Sequence, residues 1–162
     1  MNRKWKIGLI IAALVILLVI MTRKISNAAT LIDQNFSGFA ESAASSYGVP
    51  IVRIKAMIYQ ESGGDETAIG CFGERGLMQI EPGALSDFNA HFGGSYTFDQ
   101  LFDPEININV GAGYLAILAR SLNGDIDKAT QAYNAGIGNV KMNPSAGLAY
   151  LNSVKAKEEF FL

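Results

Sequence analysis

One glutamate, Glu61, occupies a position on a predicted helix that favours a protonated carboxyl group. Pro50 is typical of a helix's first turn, and the helix must end at Gly63-Gly64. Glu61 follows Ile54 by seven positions and Ile58 by three, so it lies on the apolar face of the last turn. Partial burial and the negative end of the helix dipole both disfavour ionisation, so its pKa should rise. Such a carboxyl suits a general acid, although spacing alone favours a Glu that turns its carboxylate to water.

A glycine-rich loop follows this helix and can bring backbone close to a ligand. Five glycines lie between residues 63 and 76, and Gly76-Leu77-Met78-Gln79 then begins an apolar run that ends at Pro82. A further block, Ala132-Tyr133-Asn134-Ala135-Gly136, lies later in the chain. Because the polar Gln79 stands between Met78 and Ile80, it needs a hydrogen-bonding partner.

Three blocks in this order resemble the catalytic domain of the soluble lytic transglycosylases, which are relatives of goose-type lysozyme. They are Glu61-Ser62, Gly73-Glu74-Arg75-Gly76-Leu77-Met78-Gln79 and Ala132-Tyr133-Asn134-Ala135-Gly136. The resemblance extends from about residue 47 to about residue 154. It implies a mainly α, lysozyme-like fold and cleavage of peptidoglycan between N-acetylmuramic acid and N-acetylglucosamine.

The resemblance implies one acid where glycoside cleavage usually uses two. Glu61 would first protonate the leaving oxygen and then act as base on the six-position hydroxyl of N-acetylmuramic acid. That hydroxyl attacks the sugar's own anomeric carbon, so the product has an anhydro-muramoyl end. No metal or organic cofactor is implied, and the sequence holds no His/Cys cluster. The substrate-binding residues implied are Ser62, Met78, Gln79, Tyr133, Asn134 and, by a weaker match, Tyr150.

Several of these residues have a structural alternative. Ser62 can bind substrate or cap the helix end, and Met78 can fill the core. In the family the hydroxyl of the residue matching Tyr133 lies near the catalytic Glu. The loop acids Asp65, Glu66 and Glu74 are predicted to be solvated; if one leaned into the cleft, water activation and hydrolysis would become feasible. For the aromatic residues Phe72, Tyr96 and Phe98, core or loop packing is favoured over stacking on sugars.

The sequence departs from the family pattern at two places. The family often has Ser nine residues after its catalytic Glu, where this chain has Gly70. It often has Glu four residues before the residue matching Tyr150, where this chain has Ala146. Both departures bear on rate and product class, but not on the position of Glu61.

The composition fits one globular domain behind a basic, apolar N-terminus. Hydrophobic residues make up 49% and charged residues 17% of the 162, which is enough for a core. Eight of 13 basic and all 15 acidic residues follow Lys24, so the remaining chain has a formal charge of −7. This charge argues against nucleic acid as a partner but allows a glycan. The single cysteine, Cys71, cannot form an internal disulfide and leaves the compartment open.

An apolar run of 15 residues extends from Ile7 to Met21. It is flanked by basic residues, with Arg3, Lys4 and Lys6 before it and Arg23 and Lys24 after it. As a helix it would rise about 22 Å, short of the roughly 30 Å hydrocarbon core, although interfacial anchoring by Trp5 extends its reach. The run predicts a signal-peptide core, with a cleavage site at Ser26-Asn27-Ala28, or, slightly favoured, an uncleaved membrane anchor. Either predicts an extracytoplasmic location, in the periplasm or cell envelope or as a secreted or virion-associated protein. A buried helix of a soluble fold is the least favoured reading.

The predicted organisation has three parts. Residues 1–25 form the membrane anchor or signal peptide, residues 26–34 a linker and residues 35–162 the mainly α, lysozyme-like transglycosylase domain. Six helices are predicted, and the first of them ends near Gly48. The others extend from Pro50 to Glu61, from Pro82 to Gly93, from Asp103-Pro104 to about Leu122, from Lys128 to Asn134 with Asp127 as the cap, and from Ser145 to Lys157. Gly111 and Gly113 inside the fourth of these predict close approach by a neighbouring helix.

Two other functions remain open at this stage. A muramidase of the same fold would hydrolyse the bond with water, and a non-catalytic glycan-binding or assembly protein would keep only the fold. The retained Glu61, Gln79 and Tyr133 speak against the second of these. The partners predicted are peptidoglycan glycan strands and a membrane. The sequence leaves open whether the chain serves a phage, a secretion or conjugation apparatus as part of a larger assembly, or cell-wall turnover.

Overall fold

The computed structural model describes the backbone of residues 3–162 and the side chains of residues 10–18, 20 and 27–162. Within these residues the fold is mainly α, as predicted. The α-helices are α1 Arg3–Tyr47, α2 Ile51–Glu61, α3 Pro82–Phe92, α4 Pro104–Ser121, α5 Ile126–Ala135, α6 Ile137–Met142 and α7 Leu148–Glu158, and a 3₁₀ helix, Phe98–Phe102, precedes α4. The residues between α2 and α3 form a loop with two isolated antiparallel bridges, Ile69 to Arg75 and Arg75 to Ile80.

Helix α1 continues through the segment 26–34, which was predicted to be a linker. Ala29 and Ile32 in this segment are buried, because apolar residues recur at helical spacing and pack onto the domain. A side chain at Gly64 would touch Leu31 and Ile32, so α1 also supports the loop that follows α2. The packed part of the chain therefore begins before residue 35.

The predicted N-terminal anchor or signal peptide lies at the start of α1. Among the described residues, no helix reaches the combination of length and apolarity that crossing a membrane requires. The flanking residues Trp5, Arg23 and Lys24, on which the prediction also depends, have side chains outside the described set.

Helix α4 lies at the centre of the core and contacts α1, α3 and α5. It begins where the Asp103-Pro104 signal predicted, and the Asp103 carboxylate accepts a hydrogen bond from the N–H of Ile106 at 3.1 Å. The predicted close approach of a neighbouring helix is confirmed at Gly113, where a Cβ would overlap the ring of Phe88 in α3. At Gly111 the close neighbour is instead the side chain of Met78, in the loop before α3.

The C-terminal third differs from the prediction at the start of α5. Asp125, not Asp127, caps this helix, accepting the N–H of Lys128 at 2.9 Å. Asp127 lies one position inside the helix, where it pairs with Arg53 of α2 at 2.9 Å. The predicted cap is wrong because the local Asn-Gly-Asp-Ile-Asp pattern offers two carboxylates, and a distant arginine engages the second.

Past Gly136 the chain also differs from the prediction. Gly136 ends α5 as predicted, but the short helix α6 begins at the next residue. The last helix begins at Leu148, three residues later than predicted. Both boundaries are set by turn geometry at glycines with positive φ, 81° at Gly136 and 72° at Gly147, which apolar spacing does not reveal.

A buried arginine in α2 connects this helix with α5 and α7. Arg53 is 4% exposed, and its guanidinium donates to Glu158 of α7 at 2.6 Å and to Thr130 of α5 at 2.6 Å. Because a buried charge is tolerated only when its hydrogen bonds are satisfied, these contacts fix the packing of α5 and α7 on α2. They thereby hold Glu61, two turns further along α2, against both helices.

Candidate active site

Glu61 is the last residue of α2 and lines a pocket of about 400 Å³. Burial raises the pKa of its carboxyl group to about 7, and the charge of Glu74 adds to the rise. A hydrogen bond from Tyr150 acts in the opposite direction but is outweighed. The raised pKa predicted from helical spacing is confirmed. A carboxyl with this pKa is about half protonated at pH 7 and can donate a proton to a bound substrate.

Two tyrosines from the C-terminal third lie beside Glu61. The hydroxyl of Tyr150, in α7, donates to Oε1 of Glu61. The hydroxyl of Tyr133, in α5, donates to the backbone oxygen of Met78 at 2.9 Å instead. Burial raises the pKa of both phenols and the charge of Glu61 raises it further, so both stay neutral donors. The weaker sequence match, Tyr150, is thus the residue in direct contact with the acid.

Ser62 holds the loop at the point where α2 ends. Its hydroxyl donates to the backbone oxygen of Leu77 at 2.9 Å and accepts the N–H of Gly64 at 3.2 Å. It does not line the pocket. Of the two roles left open by the sequence, these contacts favour the structural one.

Met78 and Gln79 occupy opposite sides of the turn that closes the loop. The Met78 side chain is fully buried against Gly111, which favours the core alternative over the predicted substrate contact. Gln79 has a positive φ of 47° and lines the pocket. Its Nε2 donates to the backbone oxygens of Gly76 at 2.8 Å and Ala68 at 3.2 Å, which leaves Oε1 for a ligand.

Asn107 in α4 was not predicted and is the internal support of this turn. Its side chain is fully buried, and Nδ2 donates to the backbone oxygens of Arg75 and Leu101, both at 2.8 Å. Its Oδ1 accepts the N–H of Met78, also at 2.8 Å. An available signal was its position three residues before Val110 and four before Gly111, on the buried face of α4.

The pocket has further lining residues that the sequence analysis missed or placed elsewhere. Asn134 lines it, as predicted for a substrate contact, and so do Tyr114 of α4 and Glu81 at the start of α3. Tyr114 packs against Tyr133 with ring centroids 5.6 Å apart. Glu74, predicted to be solvated, is only partly exposed and lines the pocket.

Of the three aromatic residues for which packing was favoured, two are packed and one is exposed. Tyr96 packs near Phe88, and Phe98 lies under the guanidinium of Arg75 at 4.3 Å, as the packing interpretation requires. Phe72, in contrast, is 92% exposed at the mouth of the pocket, so packing does not account for it.

Comparison with known proteins shows the class to which this fold and site belong. Residues 38–147 match the family described as the transglycosylase SLT domain, and the chain belongs to this family. The resemblance inferred from the three sequence blocks is thereby confirmed, together with a mainly α, lysozyme-like transglycosylase fold.

Individual relatives agree with this assignment. The chain is 34% identical over 118 residues to the soluble lytic murein transglycosylase of Escherichia coli, covering 68% of this chain and 18% of that protein. It is 38% identical over 82 residues to the endo-type membrane-bound lytic murein transglycosylase A of Klebsiella pneumoniae, covering 49% and 40% of the two proteins. This chain therefore corresponds to a minor part of each relative's length.

Solved structures show the same fold. The 70 kDa soluble lytic transglycosylase of Escherichia coli superposes with a TM-score of 0.72 at 26% identity, covering 78% of this chain and 24% of that one. An inactive mutant of the lytic transglycosylase Slt from Pseudomonas aeruginosa gives a TM-score of 0.71 at 25% identity, with the same coverage of 78% and 24%.

Proposed function

We propose that this chain is a peptidoglycan lytic transglycosylase in which Glu61 is the single acid and base. The observation that carries the proposal is Glu61 itself: a largely buried carboxyl with a pKa of about 7 that lines an open pocket and contacts Tyr150. The relatives named lytic murein transglycosylases support the substrate and the type of reaction.

The proposed reaction proceeds without a protein nucleophile. Protonated Glu61 donates its proton to the glycosidic oxygen between N-acetylmuramic acid and N-acetylglucosamine, and that bond breaks. The resulting carboxylate then accepts the proton of the six-position hydroxyl of N-acetylmuramic acid, whose oxygen bonds to the anomeric carbon. Glu61 ends protonated, as it began, and the sugar carries an anhydro ring. The hydrogen bond from Tyr150 stabilises the carboxylate between the two steps.

Substrate contacts are assigned to side chains that line the pocket. Gln79 offers Oε1 and Asn134 offers its amide for hydrogen bonds to the substrate. The exposed ring of Phe72 lies at the mouth, where a sugar face can stack on it. Tyr133 forms the wall behind Glu61 and keeps the Met78 turn in place. Ser62 supports the loop from behind.

One observation favours a second candidate, a muramidase that hydrolyses the same bond. Glu74 lines the pocket together with Glu61, and enzymes that hydrolyse a glycosidic bond with water usually use two carboxyl groups. A non-catalytic binding protein has no comparable support, because it would not need a proton donor with a raised pKa.

Mass spectrometry of the sugar ends released from purified peptidoglycan tests the proposal. We expect anhydro-muramoyl ends, which are lighter by one water than reducing ends. Reducing ends from the wild-type protein would establish the muramidase instead. No release of fragments, under conditions where a known lytic transglycosylase digests the same material, would leave only a binding role.

We propose further that the N-terminal segment exports the domain and anchors it in the cytoplasmic membrane. The apolar side chains of residues 10, 11, 14–18 and 20 are 53–61% exposed on α1, so the protein itself does not cover them. Such an exposed apolar surface supports a lipid bilayer as the partner, and an extracytoplasmic site is where peptidoglycan is found. Membrane-bound relatives of this family support the location.

A reporter enzyme fused after Leu162 tests export. We expect it to be active only outside the cytoplasmic membrane and to sediment with membranes, since basic residues at the start of the chain stay inside. The mass of the mature protein distinguishes an anchor from a signal peptide removed near Ala28. A soluble reporter in the cytoplasm would contradict the proposal.

A further inference from the structure

Glu74 is held in the pocket by its own loop. Its backbone oxygen accepts the N–H of Gly70 at 2.8 Å, which closes a short turn. Its carboxylate Oε2 accepts the N–H of Phe72 at 3.0 Å. Because both contacts come from backbone within four residues, the loop fixes the direction of this side chain, and that direction is into the pocket shared with Glu61.

The residue at position 70 leaves room for this carboxylate. A Cβ on Gly70 would overlap Oε2 of Glu74 and lie 2.7 Å from Oε1 of Gln79. The missing side chain at position 70 therefore leaves the space that the inward carboxylate of Glu74 occupies.

No cation neutralises Glu74 within the described part of the chain. The adjacent Arg75 turns away, pairs with Asp99 at 2.5 Å and lies over the ring of Phe98 at 4.3 Å. Arg53 is engaged behind α2 by Asp127 and Glu158. The charge of Glu74 therefore acts on the pocket without a counterion among the described residues.

We propose that Glu74 is a positioning residue of this site, whose charge opposes the ionisation of Glu61 and extends the pH range over which Glu61 can donate a proton. The proposal rests on the proposed function of Glu61 as acid. The remaining titratable groups that face Glu61 or line its pocket are Tyr150 of α7, Tyr133 of α5, Tyr114 of α4, Glu81 before α3 and Cys71 of the loop. After burial, Glu74 is the influence that raises the pKa of Glu61, whereas Tyr150 lowers it.

The test compares Glu74→Gln with the wild type. Glutamine can still accept the N–H of Phe72, so the loop keeps its shape while the charge is removed. We expect the apparent pKa of the alkaline limb of kcat/KM to fall by about 0.5–1 unit. Activity at pH 8 then drops about three- to tenfold, whereas activity below pH 6 changes much less.

One control variant and two further variants complete the test. Glu66→Gln removes an exposed acid from the same loop and should leave the pH profile unchanged. Tyr150→Phe removes the hydrogen bond that favours the carboxylate and should shift the pKa of Glu61 upward, opposite to Glu74→Gln. Gly70→Ala should displace the Glu74 carboxylate and reproduce the downward shift of Glu74→Gln.

A direct titration keeps the test independent of turnover. The ¹³C NMR signal of the Glu61 carboxyl, followed in both proteins, should titrate at lower pH in Glu74→Gln. An unchanged Glu61 titration would overturn the proposal even if the protein had no activity on peptidoglycan. Equal loss of activity at every pH, with an unchanged titration, would instead make Glu74 a general base and overturn the positioning role.

Discussion

Glu61→Gln is expected to reduce the release of anhydro-muramoyl products by about 10⁴-fold or more. A placed acid contributes roughly 10²–10⁴-fold by proton transfer, and here one carboxyl serves first as acid and then as base. Glutamine keeps the shape and can still accept the hydrogen bond from Tyr150, so substrate binding should survive. The measurement is turnover of purified peptidoglycan with a binding assay on the same material.

Glu66→Gln is the matched control for this experiment, since it makes the same chemical change at an exposed loop position. It should retain wild-type turnover. A Glu61→Gln protein with more than about one hundredth of wild-type activity would show that the acid of this site is another residue.

The same variant has an expected effect on stability that depends on pH. The pKa of Glu61 is about 7 in the folded protein against an ordinary 4.5, so folding favours its protonated form. Below pH 4.5 the group is protonated in both states and has no effect. Between pH 4.5 and 7 the unfolded chain ionises this group while the folded protein keeps it protonated, so up to about 3 kcal/mol of stability is lost over that range. Glu61→Gln should therefore match the wild type at pH 4 and exceed it in unfolding free energy at pH 8.

Asn107→Leu is expected to lower the free energy of unfolding by about 3–5 kcal/mol. The substitution keeps the approximate volume but leaves the N–H of Met78 and the backbone oxygens of Arg75 and Leu101 without their partner. Each stranded buried group costs about 1–3 kcal/mol. The turn that carries Gln79 should lose its fixed shape, so turnover per folded molecule should fall as well. Urea denaturation and activity at matched folded fractions measure the two effects.

Two further asparagine variants test whether the loss of stability comes from the hydrogen bonds of Asn107. Asn107→Asp retains the acceptor for Met78 but aims a carboxylate at two carbonyl oxygens, so it should be nearly as damaging. Asn109→Ala, on the same helix, removes one hydrogen bond from Tyr47 and should cost about 1 kcal/mol. An Asn107→Leu protein as stable as Asn109→Ala would show that the turn is supported by other contacts.

The spacing of residues along the sequence determined the part of the site that lies within one helix, α2. The apolar repeat from Ile54 to Ile58 fixes which face of α2 Glu61 occupies, and Gly63 fixes where the helix ends. Burial of that face then raises the pKa of Glu61. The start of α4 at Pro104 followed in the same way, since capping is a property of a few neighbouring residues.

Tertiary structure decided which distant groups meet Glu61 and its loop. The partner of Glu61 is Tyr150, 89 residues away, and the partner of the Met78 turn is Asn107, 29 residues away. Asp127 serves Arg53 instead of capping α5, and Glu74 turns into the pocket because Gly70 leaves space for it. Helical period and glycine content are set along the chain, but hydrogen bonds and charge pairs between elements depend on how those elements pack in space. Packing therefore determines the charge and hydrogen bonding around the acid that the sequence alone identifies.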